Sequence, residues 1–151
     1  MRKVGRVLAL ITVSGAMAAM ATSAAATPGS GVSAKLLAQG TTAKPIRVNT
    51  HGKTDVVVRQ ITIQPGGTTG WHYHDGRLVA VVVSGTLTHV DQSCTRRKYT
   101  ARQSFLEPDG RRHVHVGSNR GRVPVVLMVT YINPEGKPLA VDAPAPACAK
   151  S

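Results

Sequence analysis

Residues 70–85 read GWHYHDGRLVAVVVSG: two histidines, His72 and His74, stand one residue apart and lead into a β-branched run that closes on Ser84 and Gly85. On a strand, residues i and i+2 point to the same face, so both imidazoles project to one side about 7 Å apart along the chain, with Tyr73 opposite. Two rings so placed can converge on one ion at about 2.0–2.1 Å per nitrogen. A single pair of this kind is more often two polar residues on a half-buried strand.

A second pair, His113 and His115, lies in RRHVHVGSN (residues 111–119), so four of the six histidines fall in two His-x-His pairs. If the two segments are neighbouring strands, the pairs face one another across an interior. The surrounding sequence supports that reading. Short runs rich in Val, Ile and Thr, such as DVVVRQITIQ (55–64), TLTHV (86–90) and VPVVLMVTYIN (123–133), are punctuated by Gly, Pro, Asn and Asp, the signature of strands and turns. In VRQITIQ, Val58, Gln60 and Thr62 alternate with Arg59, Ile61 and Ile63, roughly as a sheet with one core face requires. No segment after Ala26 carries a helical period. The expected fold is all-β: a small antiparallel β-barrel.

The 151-residue length suits one domain with a modest core. Residues 1–26 follow the three-part pattern of a secretory signal: Arg2, Lys3 and Arg6, an apolar stretch from Val7 to about Met20, then Ala24 and Ala26, with cleavage expected after Ala26. A membrane-spanning helix needs about 20 predominantly apolar residues, and this stretch is shorter and diluted by Thr12, Ser14 and Gly15. Residues 27–33 read as a flexible lead-in and 34–151 as the folded domain with its C-terminal tail. The sequence therefore predicts an exported, extracytoplasmic protein.

The formal net charge is +12; the signal carries three of the basic residues and no acid, so its removal leaves +9. The charges are scattered, and aromatics for base stacking are nearly absent, so no nucleic-acid partner is expected. Such a basic surface suits weak association with anionic cell-envelope polymers or lipid headgroups. A homodimer is compatible with the fold. Cys94 and Cys148 are the only cysteines, and export would deliver them to a compartment where disulfides persist, so they are expected to pair.

With these residues in place, the sequence resembles the cupin superfamily, whose fold is a double-stranded β-helix, or jelly roll. The family's first motif runs Gly, five residues, His-x-His, three or four residues, Glu, six residues, Gly. Here Gly66, His72, His74 and Gly85 keep the spacing, and Leu78 stands where Glu is expected. The second motif reads in two registers. Counted from Pro108-Asp109-Gly110 it places a ligand at His113; counted back from Asn119 it places one at His115, with extra residues in the turn. The second is preferred, because a turn absorbs an insertion more easily than a strand does. The resemblance spans residues 33–141, and the opening TDVVVRQITIQPGGTTGWHYH also looks like the entry to exported single-domain bacterial cupins.

The resemblance implies a divalent transition metal (zinc, iron, manganese, copper or nickel) held by His72, His74 and His115, with His113 the alternative third ligand. Without the family glutamate the inferred ligands are all neutral, and Leu78→Glu is expected to tighten binding. Glu107 reads as a solvated turn residue, His51 and His89 as surface or packing residues, and Trp71 and Phe105 as core or barrel-mouth residues. Two functions follow: a secreted metal-binding cupin with possible action as a metal-dependent enzyme on a small molecule, or a non-catalytic cupin that stores or binds a metal or small ligand in the envelope. A third reading makes the histidines remnants in a structural envelope protein. No Ser-His-Asp triad, phosphate loop or paired-carboxylate hydrolase site is present in the sequence.

Overall fold

The computed structural model describes residues 31–149; the signal segment and most of the lead-in lie outside the described residues. Ten strands follow one another: β1 (Thr41–Thr42), β2 (Thr54–Ile63), β3 (His72–Tyr73), β4 (Arg77–Ser84), β5 (Thr86–Asp91), β6 (Arg96–Thr100), β7 (Gln103–Glu107), β8 (His115–Ser118), β9 (Val125–Pro134) and β10 (Val141–Asp142). A 3₁₀ turn, Ala147–Ala149, follows them. No helix among the described residues is long and apolar enough to cross a membrane.

The strands form two five-stranded sheets, ordered β1-β7-β4-β9-β2 and β10-β3-β8-β5-β6. All pairings are antiparallel except β1 with β7. This is a jelly-roll arrangement of two sheets rather than one continuously closed barrel. Each sheet buries one face, and the period of two appears directly in the burial. Along β4, Leu78, Ala80 and Val82 are buried; along β9, Val125, Leu127, Val129 and Tyr131 are. They join Ile63, Phe105 and, from the second sheet, Leu87 in one core. On β2, Ile61 and Ile63 turn inward while Val56 and Val58 remain exposed, which an edge strand with a solvated outer face tolerates.

Two glycines, one at each end of β4, let the chain lie close against β9, its neighbour in the same sheet. Gly85 joins β4 to β5 at φ +77°, and a Cβ there would lie 2.6 Å from the Pro124 carbonyl oxygen. At Gly76 a Cβ would collide with the Ile132 carbonyl oxygen and stand 2.5 Å from Asn133 Cα. Only glycine lets the turn after His74 lie against β9 this closely. Asn119 performs a similar task by hydrogen bonding: its amide donates to the carbonyls of Ile63 (2.9 Å) and Val123 (2.8 Å), tying the end of β8 to the opposite sheet.

Candidate metal centre

β3 and β8 pair antiparallel with His72 directly opposite His115, so both side chains point to the same face of the sheet, into the core. The chain beyond β3 carries His74 to the same side. The three rings meet: centroids of His72 and His115 are 4.5 Å apart, those of His72 and His74 4.9 Å, and those of His74 and His115 5.0 Å. All three are buried, His74 to 2 % exposure.

Each imidazole is oriented from behind by a backbone carbonyl. The Nδ1 atoms lie 2.9 Å from the Gly70 oxygen for His72, 2.6 Å from Leu139 for His74 and 2.7 Å from His113 for His115. A carbonyl only accepts, so each Nδ1 carries the proton and each Nε2 presents a lone pair to the interior. This is the tautomer that a metal-ligating imidazole needs, fixed by its outer hydrogen bond.

The fourth member is Glu107. Its Oε2 is 2.9 Å from His74 Nε2 and 3.1 Å from His115 Nε2, and the two Nε2 atoms are 3.2 Å apart. The side chain is 12 % exposed, so the expectation of a solvated turn residue is overturned. Glu107 ends β7 in register with Leu78 of β4, and directly opposed residues share a face. A carboxylate therefore occupies the cluster from the strand beside the one on which the family spacing places it, and the cluster is not built from neutral groups alone.

One ligand atom from each of His72, His74, Glu107 and His115 lies within 4.8 Å of all the others. Two imidazole lone pairs and a carboxylate oxygen in mutual contact repel unless a cation sits among them, whether protons or a metal ion. Charge follows the same logic. Burial works to raise the Glu107 carboxyl, but the imidazoles of His115 and His74 outweigh it and hold the group well below the usual carboxylate range. Burial pulls His115 down, and the Glu107 carboxylate overcomes that and raises it. His72 is shifted down by burial, opposed by the Gly70 carbonyl, so its lone pair stays available. Three imidazole nitrogens and one carboxylate oxygen fit a first-row transition metal better than calcium or magnesium, which take oxygen donors.

His113 does not join. The turn after Pro108 runs on through Arg112, with Gly110 at φ +101° and the His113 amide donating to the Gly110 carbonyl at 3.0 Å. β8 begins only at His115, so the two histidines do not share a strand face as the sequence suggests, and His113 is exposed. His51 is exposed as well. Phe105 is buried in the core, and Trp71 is half-buried. His89 is buried against Tyr99, Phe105 and His115, with Nε2 3.1 Å from Glu107 Oε1. Sequence reasoning missed both Glu107 and His89, although period two could have found them. Each stands two residues after an inward apolar residue, Phe105 and Leu87.

Residues 59–131 match the family model described as Cupin domain. No curated protein sequence matches the chain. Among solved structures, an uncharacterized conserved protein with a double-stranded beta-helix domain from Klebsiella pneumoniae aligns at a TM-score of 0.51 and 22% identity, over 71% of this chain and 91% of that one. The DMSP lyase DddQ from Ruegeria pomeroyi aligns at 0.51 and 14% identity, over 58% of this chain and 43% of the lyase. An oxalate oxidase aligns at 0.51 and 22% identity, over 58% of this chain and 46% of that protein. The chain thus spans under half the length of either enzyme, and at these identities the likeness is one of fold. The motif spacing at Gly66, His72, His74 and Gly85, the jelly roll and the family match agree: residues 59–131 are a cupin domain.

Proposed function

We propose that this protein is an exported cupin that holds one divalent transition metal through His72, His74, His115 and Glu107 and uses it on a small molecule. The observation that carries the reading is the set of three carbonyl-fixed Nδ1 atoms, which aim three Nε2 lone pairs at the Glu107 carboxylate. These four side chains would hold the ion, which would supply Lewis-acid or redox chemistry there. The chain's own part is to orient the donors, through Gly70, Leu139 and His113, and to keep bulk water from the centre. Export is supported by the leading segment and by the Cys94–Cys148 disulfide. A non-catalytic metal-holding barrel is the second reading, favoured by the small interior space beside His72 and Tyr131, about 40 Å³, little more than one water's share.

Elemental analysis of untagged protein tests the metal. One equivalent of a transition metal is expected in the native protein and none in His74→Ala, while His51→Ala retains it in full. Equal metal content in native protein and His74→Ala would sink the proposal. Turnover of small organic acids by the loaded protein separates the enzyme from the storage barrel.

Acid should oppose the metal. Uptake displaces protons from the cluster, and the raised His115 keeps its proton above the ordinary value of 6.5. In the metal-free fold a raised imidazole contributes stability that is full below 6.5 and lost as pH rises through its folded value. The metal contribution runs the other way. The rise in Tm on adding metal is expected to be small near about pH 5.5 and to grow through neutrality, as His115 gives up its proton. Thermal scans with and without metal across this range read the effect, and a shift independent of pH would contradict it.

A further inference from the structure

The strands that aim His72 and His115 inward carry a second set of side chains on their outer face. Arg96 of β6 pairs with Val90 of β5, and Val90 pairs with Val116 of β8. Because His72 stands opposite His115, the antiparallel register sets Trp71, the residue before β3, beside Val116. Arg96, Val90, Val116 and Trp71 therefore form one row across the sheet, on the face away from the metal cluster. Three inter-strand spacings of about 4.8 Å make that row about 14 Å long.

The row floors a cleft of about 790 Å³, which the Cys94–Cys148 disulfide walls near Arg96 and which Ser118 and Arg120 also line. No acidic residue lines it. Both arginines are exposed, and among the described residues carboxylates pair with Lys53, Arg77 and Arg97 but with neither Arg96 nor Arg120. Two uncompensated guanidiniums in one concavity attract anions, and each can grip a carboxylate through two parallel hydrogen bonds. Half-buried Trp71, Val90 and Val116 add an apolar surface between the charges, and the indole is large and rigid. A flat anionic bilayer does not enter a concavity, and one aromatic side chain gives successive nucleotide bases no stacking platform.

We propose that this outer cleft binds an acidic saccharide, a short glycan bearing uronic-acid carboxylates. The carboxylates meet Arg96 and Arg120, the apolar C–H faces of the pyranose rings lie on Trp71 and the two valines, and a ring hydroxyl hydrogen-bonds Ser118. The site is separate from the metal cluster and does not depend on it, since the two occupy opposite faces of the same strands.

Trp71 is the only tryptophan in the sequence, so tryptophan fluorescence reports occupancy of this cleft. Trigalacturonate added to the native protein in about 0.15 M salt, where distant surface charges are screened, is expected to shift the emission saturably. It should bind at least tenfold more tightly than its methyl ester, which keeps the rings and loses the charge, and than triglutamate, which keeps the charge and loses the rings. Arg96→Gln combined with Arg120→Gln should abolish the preference over the ester, while Lys53→Gln, outside the cleft, and treatment with a chelator should change nothing. Trp71→Leu, followed by calorimetry, should abolish the preference over triglutamate; if it fails to fold, the double arginine variant, altered only at exposed positions, carries the test. An unmoved Trp71 emission, equal binding of triglutamate, or a double arginine variant that binds as wild type does overturns the proposal. So does an equal loss in Lys53→Gln, which would assign the binding to the basic surface as a whole, or tighter binding of a glycerol-phosphate trimer, which would replace the saccharide with a phosphodiester polymer.

Discussion

Glu107→Leu is expected to destabilise the metal-free protein by about 3–5 kcal/mol, the usual cost of removing one partner from a buried charged pair. The carboxylate touches His74 and His115 and lies near His89, and its loss leaves His74 and His115 Nε2 facing each other at 3.2 Å with no anion between them. Metal affinity should fall by at least about 100-fold, since losing even an outer partner of a metal ligand commonly costs 10–100-fold. Urea denaturation at neutral pH and a metal titration measure the two effects. Unchanged stability and unchanged metal affinity together would show that Glu107 is a bystander.

The same geometry reverses what the sequence suggests for Leu78. On the family spacing, Leu78→Glu restores a missing ligand and tightens binding. With Glu107 directly across on β7, and both residues lining the interior beside His72 and His74, a second carboxylate would instead share a buried site with the first. Like charges so close raise one carboxyl and destabilise the ionised pair. Leu78→Glu alone is therefore expected to lower stability, whereas Leu78→Glu combined with Glu107→Leu moves the carboxylate to the family position and should recover metal.

The fold was legible because its strands bury one face. The alternation of Leu78, Ala80 and Val82, and of Leu127, Val129 and Tyr131, is a local property of the chain, and so is the distance between His72 and His74. What was not legible depended on register between strands. That Glu107 replaces the glutamate expected at Leu78 follows from β4 lying beside β7, a long-range pairing that no local pattern encodes. The acidic residue beside Pro108-Asp109-Gly110 has the composition of a solvated turn, yet the strand runs to Glu107 before the turn begins. His113 fails for the mirror reason. RRHVHV reads as a strand throughout, but the turn consumes His113, and only His115 reaches the sheet.

Reduction of the Cys94–Cys148 disulfide is expected to cost close to what the cluster contributes. The bond joins the β5–β6 hairpin to the 3₁₀ turn at the C-terminus, closing a separation of 54 residues with the Cα atoms 6.2 Å apart. By the chain-entropy argument a loop of this length stabilises by about 4 kcal/mol at most, through the unfolded chain it restrains. Within that loop lie Glu107, His115 and the segment that carries the Leu139 carbonyl. The tail has little else to hold it: β10 is two residues long and pairs with β3, and the Ala143 amide donates to the Trp71 carbonyl at 2.9 Å. Because Leu139 fixes the His74 ring, a loosened tail should also loosen one donor of the metal cluster. Cys94→Ser with Cys148→Ser is therefore expected to lower Tm by on the order of 10–20 °C and to weaken metal binding without removing any ligand. Melting of the double variant at the native temperature, with unaltered metal affinity, would show that the tail is held by its strand contacts alone and that the disulfide contributes little to fold or site.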